Sequence, residues 1–109
     1  NFYPDFILWI LDGEKQYITF IDPKGIRNLK GLEDDKIQLF KYLQTDVASQ
    51  LGNAHLMLNS FIISNTPMEQ VEFWLKNPFD KGEFQKNHVL FKDDKGYLET
   101  MVDMILQYI

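Results

Sequence analysis

Residues 4–25 read PDFILWILDGEKQYITFIDPKG, and the fold turns on them. Phe6 to Leu11 is an unbroken apolar run rich in strand formers. Asp12-Gly13-Glu14-Lys15 carries an Asp-Gly turn signal, and Tyr17 to Ile21 is the return strand. The stretch is a β-hairpin. Its first strand is apolar on both faces, which predicts a central place in a covered sheet. Pro23 and Gly25 end the second strand, because neither sustains a ladder.

Working outward, a loop containing Arg27 and Lys30 follows, the most basic part of the chain. Asp34 or Asp35 can cap a helix running to about Leu51. Ile37, Phe40, Leu43, Val47 and Leu51 recur on it at helical spacing, and Gly52-Asn53 closes it. His55 to Ser64 is apolar on both faces and reads as a second buried strand. Thr66-Pro67-Met68-Glu69 is a capping box opening a helix with Val71, Trp74 and Leu75, which stops near Asn77-Pro78. Residues 78–87 read as a polar loop, His88 to Phe91 as a short strand, and Asp93 to Gly96 as a turn. A last helix carries Leu98, Met101, Val102, Ile105, Leu106 and Ile109.

The order β-β-α-β-α-β-α predicts an α/β fold, a mixed sheet flanked by helices. The length of 109 residues suits one domain spanning 1–109. The chain opens on Asn1 and enters strand-like sequence within four residues, so it reads as a fragment of a larger protein. Hydrophobic residues make up 45% and aromatic residues 15%, which excludes a disordered chain. With no cysteine, disulfide scaffolds, thiolate-ligated zinc and cysteine nucleophiles are excluded. No apolar run approaches the roughly 18 residues of a membrane span, and the start lacks a signal peptide's basic segment. The net charge of -5, with ten Lys but one Arg, argues at first sight against a free-standing nucleic-acid binder.

The hairpin also carries chemistry. Either closure of its turn, two residues between Asp12 and Lys15 or four between Leu11 and Gln16, sets Asp5 opposite Asp22. Lys24 points the same way if the strand persists that far. Two facing carboxylates repel unless a cation lies between them. Mg²⁺, a hard ion with oxygen ligands at about 2.0–2.1 Å, is the natural one, and the carbonyl of Pro23 is a further candidate ligand. A metal-activated water beside a lysine is the equipment of phosphodiester hydrolysis. An ordinary reading stands beside it: Asp5 as a strand-start residue and Asp22-Pro23-Lys24-Gly25 as a type I or II turn.

Pro4-Asp5, a sixteen-residue gap, then Asp22-Pro23-Lys24 resembles the signature of the PD-(D/E)XK nuclease superfamily. Phe2-Tyr3-Pro4-Asp5-Phe6 with Ile21-Asp22-Pro23-Lys24-Gly25 is similar to the C-terminal nuclease segments of type III restriction enzymes and related DEAD/DEAH-type helicases. The likeness covers about residues 2–64. It implies a restriction-endonuclease-like β-β-α-β core, here extended by α-β-α and without the helix and strand that precede the motif in the family. It implies that Asp5 and Asp22 bind Mg²⁺, with Mn²⁺ able to substitute, and that Lys24 assists the attacking water. Gln38 and Tyr42, four apart on the next helix, resemble the Gln-x-x-x-Tyr pair of the recombination-exonuclease branch. They are candidate substrate contacts with Arg27 and Lys30.

The function expected is Mg²⁺-dependent DNA cleavage in a cytoplasmic restriction or helicase-type enzyme. Its partners would be DNA and the rest of the parent polypeptide or restriction-modification subunits, with no membrane. The alternative is a non-catalytic DNA-binding or scaffold domain of the same fold. His55 and His88 lack metal-ligand spacing and read as ordinary strand-edge residues. Glu33-Asp34-Asp35 reads as a charged helix start and Asp93-Asp94 as a turn. No phosphate-binding loop, dinucleotide glycine cluster or Gly-x-Ser-x-Gly elbow occurs.

Overall fold

The computed structural model describes residues 5–24, 36–47, 50, 52, 55–67 and 81–107, the side chain of Lys24 excepted. Strand β1 (Phe6–Asp12) turns back into β2 (Lys15–Lys24). Helix α1 (Leu39–Tyr42) passes into a π-helical turn, Leu43–Val47. Strand β3 (Leu56–Ser64), helix α2 (Lys81–Lys86), strand β4 (Val89–Phe91) and helix α3 (Tyr97–Gln107) complete the order. The described strands form one sheet ordered β1-β2-β3-β4. The hairpin pair is antiparallel, while β3 runs parallel to β2 and β4 parallel to β3. The expected mixed α/β sheet is what forms.

The turn closes between Asp12 and Lys15. Gly13 takes φ +62° and Glu14 does not share its positive φ, which fits a type II′ turn with glycine first. Only a residue without a Cβ takes that place cheaply.

The central core lies on one sheet face. Tyr17, Phe61, Ile63 and Leu90 alternate onto that face and meet Met101 and Ile105 of α3. Elsewhere Ile37, Phe40 and Leu43 are buried, with α1 and the π-turn packed on β3. Phe84 of α2 is fully buried, edge-on to Phe91 with ring centroids 5.1 Å apart.

Three expectations are corrected. Strand β1 is not central: it pairs with β2 alone among the described strands, and Ile7, Trp9 and Leu11 are exposed. An apolar run is indifferent to whether a neighbour lies on its outer side. The helix expected to about Leu51 is present in the described residues, α-helical at Leu39–Tyr42 and again at Gln50, with the π-turn Leu43–Val47 between them. There the Thr45 hydroxyl donates to the Lys41 carbonyl at 2.8 Å, a side-chain bond that competes with the backbone ladder. Gly52 does adopt the left-handed conformation of a helix end, with φ +61°.

Residues 81–86, expected as loop, form α2, whose only buried residue is Phe84. One apolar side chain leaves no periodic signal to read. On α3 the expected stripe is narrower, since Leu98 and Leu106 are exposed while Met101 and Ile105 are buried. The helix expected after Thr66-Pro67, the cap at Asp34 or Asp35, and Ile109 lie outside the described residues.

Candidate functional site

The ladder of the hairpin runs from Asp12↔Lys15 to Phe6↔Ile21. One further step of the same register sets Asp5 opposite Asp22. Asp5 occupies an exposed bend just before β1. Asp22 is 5% exposed, within β2 and abreast of Ile62 of β3. Alternation along β2 gives Asp22 the face of Ile18 and Phe20, opposite that of Tyr17, Thr19 and Ile21. The second acid therefore stands on an interior strand, and the first on an exposed bend.

Pro23 is half-buried beside Ile63, and its ring removes one N–H from the ladder. Lys24 closes β2 abreast of Ser64, with its side chain outside the described set. Arg27 and Lys30 also lie outside the described residues. Gln38, just before α1, is half-buried and donates from Nε2 to Asn87 Oδ1 at 2.9 Å. This bond ties the start of α1 to the turn leading into β4. Tyr42, four residues on, is exposed. The pair thus divides, one side chain engaged in the protein and the other turned to solvent.

No protein-family model matches the chain, and neither a curated protein nor a solved structure does. The chemistry must be judged on the residues themselves. Among the described residues no three His, Asp or Glu side chains gather into a metal-holding group. Two carboxylates at a strand end are a poor cage for zinc or calcium, which take four or more protein ligands at a structural site. They suit a small hard cation that keeps most of its water, and Mg²⁺ is commonly held by one or two carboxylates. No described helix is long and apolar enough to cross a membrane.

His88 was read as an ordinary strand-edge residue, and that reading is corrected. The residue is buried and adopts φ +63°, the only non-glycine with a positive φ among those described. Its ring stacks between Phe40, at 3.6 Å between centroids, and Phe61, at 4.4 Å. Nδ1 donates to the Ser60 carbonyl at 3.0 Å, since a carbonyl can only accept. Burial pushes the imidazole down to about 4; the Ser60 bond opposes the shift and nearby Lys41 adds to it. His55, in contrast, is exposed. The available sequence signal was Asn87-His88 before an apolar triplet, since both types tolerate the left-handed region that ends a helix. It is legible only once α2 is known to end there.

Proposed function

We propose that the chain is a metal-dependent deoxyribonuclease domain of the PD-(D/E)XK kind, working in a cytoplasmic restriction or helicase-type enzyme. One observation carries the reading: the hairpin ladder reaches Phe6↔Ile21, so its next step would set Asp5 opposite the buried Asp22, two residues before Lys24. The hairpin, the following helix and a strand parallel to β2 also agree with the later part of the core that the resemblance implies.

On this reading Asp5, Asp22 and the Pro23 carbonyl hold Mg²⁺, or Mn²⁺ in its place. When bound, the ion supplies Lewis acidity and a more acidic water. Lys24 orients or deprotonates the attacking water and offsets charge gathering on the phosphate. Arg27 and Lys30 meet the DNA backbone electrostatically. Tyr42 offers its hydroxyl to the substrate, and Gln38 steadies that helix through Asn87. The rest of the parent polypeptide or restriction-modification subunits supply the remaining DNA affinity.

The test is cleavage of DNA by the full-length protein with Mg²⁺. Lys24→Ala and Asp22→Ala should each lower the rate by at least about 10²-fold, the low end for loss of an acid–base group. Unchanged cleavage in either variant overturns the assignment. A second reading is a non-catalytic DNA-binding or scaffold domain, and the net charge of -5 favours its scaffold form. A metal titration separates the two. A catalytic site gains melting temperature with Mg²⁺ or Mn²⁺ and loses that gain in Asp5→Asn; a scaffold gains nothing in either form.

A further inference from the structure

A groove of about 330 Å³ opens at the carboxyl ends of the parallel strands, within the usual range of small-ligand sites. Phe6, Pro23 and Ile63 line it from the sheet, and Tyr97 and Leu98 from the first turn of α3. Crevices beyond the carboxyl ends of strands are where open α/β sheets bind ligands. The groove lies on the sheet face opposite Asp22. Phe6 pairs with Ile21, Pro23 pairs with Ile63, and all four belong to the alternate set. Its three hairpin members are each one residue from an acid, Phe6 from Asp5, and Ile21 and Pro23 from Asp22.

The lining is apolar and aromatic with two polar exceptions. Lys92 is the one charged residue on it, and Asn65 supplies an amide. Lys92 is exposed, and of the two acids that follow it Asp94 is paired with Lys81. Phe6 and Leu98 are 60% and 55% exposed, an apolar surface in want of a cover. A flat ring against Phe6, Tyr97 and Leu98 with an anion toward Lys92 is the chemistry of a nucleotide.

We propose that this groove holds one unpaired nucleobase of a single-stranded DNA substrate, its phosphate against Lys92, beside the strand ends that carry Asp5 and Asp22. The inference rests on the nuclease reading and gives it a substrate class: single-stranded or frayed DNA. A groove of this size admits one base and not a stacked pair of strands. Base stacking on aromatic side chains tolerates every sequence, so the subsite reads strand state and not base identity.

The experiment is binding of a labelled thymidine oligonucleotide to the full chain in EDTA, where no metal-dependent cleavage occurs, read by fluorescence anisotropy. Phe6→Ala and Leu98→Ser alter exposed side chains, and a shared melting temperature with the wild type verifies their fold. Each should weaken binding, Phe6→Ala by about tenfold, within the range for loss of a base-stacking side chain. Lys92→Ala should lower the salt dependence by about 0.7 in slope, the value for one phosphate on a single strand. An abasic nucleotide at one oligonucleotide position should reproduce the loss seen in Phe6→Ala.

Binding equal to wild type in Phe6→Ala and Leu98→Ser overturns the proposal, as does binding of duplex DNA alone or of neither form. So does a fall in oligomeric mass in Leu98→Ser, which would make the groove a contact between copies. The two readings fail separately. If cleavage is lost in Lys24→Ala while the groove variants bind normally, the nuclease stands and the subsite falls. If the groove variants lose binding but the wild type cleaves nothing with Mg²⁺, the subsite stands and catalysis falls.

Discussion

Strands β1 and β3 look alike as sequence and differ as structure. Each is an apolar run with no clear polar face. In β3 the last seven of nine residues are buried; in β1 none is, and only Leu8 and Ile10 are even partly covered. Their places in the sheet account for this. β3 has β2 on one side and β4 on the other, with helices packed on it, whereas β1 has β2 alone among the described strands. Ladder position decides burial, and composition only permits it. The difference also separates function from stability, because the candidate acid Asp5 precedes the exposed strand while Asp22 sits inside the buried part of the sheet.

The contrast between the strands is greatest at the heart of β3. Phe61 is 1% exposed, belongs to the core under α3 and stacks on His88. Phe61→Ala removes a large buried ring and leaves a cavity lined by side chains that cannot all collapse into it. The expected loss is about 3–5 kcal/mol in urea denaturation. A loss below about 1 kcal/mol would mean that β3 is no more a core strand than β1.

The next largest effect is set by pH. Native His88 titrates at about 4, below its ordinary 6.5. Between these values the unfolded chain carries a proton on this residue that the native chain lacks, so stability rises with pH across the window. Its contribution is complete above about pH 6.5, falls away as pH drops towards 4, and is flat below. At 1.36 kcal/mol per unit, the span is about 3 kcal/mol. His88→Phe keeps a flat ring between Phe40 and Phe61 and removes the proton. Urea denaturation from pH 4 to 7 should show a shallower pH slope for the variant. Equal slopes would mean that the imidazole is open to water, as β1 is.

Much of the fold was legible because local signals and tertiary context agreed. Asp12-Gly13 marked the turn, and the register that follows from it was correct at every pair from Phe6 to Asp12. Alternation and spacing found β3, β4 and the buried positions Ile37, Phe40, Leu43, Met101 and Ile105. What failed depends on packing that no local periodicity marks. The edge position of β1 is a property of the sheet's order. Helix α2 is held by Phe84 packing on Phe91 and by Asn87 Nδ2 donating to the Glu83 carbonyl, contacts with no periodicity of their own. At the candidate site, hairpin arithmetic gave the ladder as far as Phe6↔Ile21, the step before Asp5 and Asp22. The groove could not be read in this way, since it joins Phe6 to Tyr97 across most of the chain.

The smallest expected effect tests β1 itself. Trp9 is 61% exposed and shares a face with Ile7 and Leu11, opposite half-buried Ile18 on β2. An indole left in water contributes little that Ser would lose, so Trp9→Ser should change stability by no more than about 0.5 kcal/mol, the usual span for surface substitutions. Its visible consequence should be in solution behaviour. An uncharged apolar edge strand is a template for further pairing, so the variant should sediment with less self-association at high concentration. A loss above about 2 kcal/mol would require Trp9 to be covered in the folded protein. In that case the outer face of β1 would be an interior surface like β3, and the contrast between the two strands would describe an incomplete assembly and not two kinds of strand.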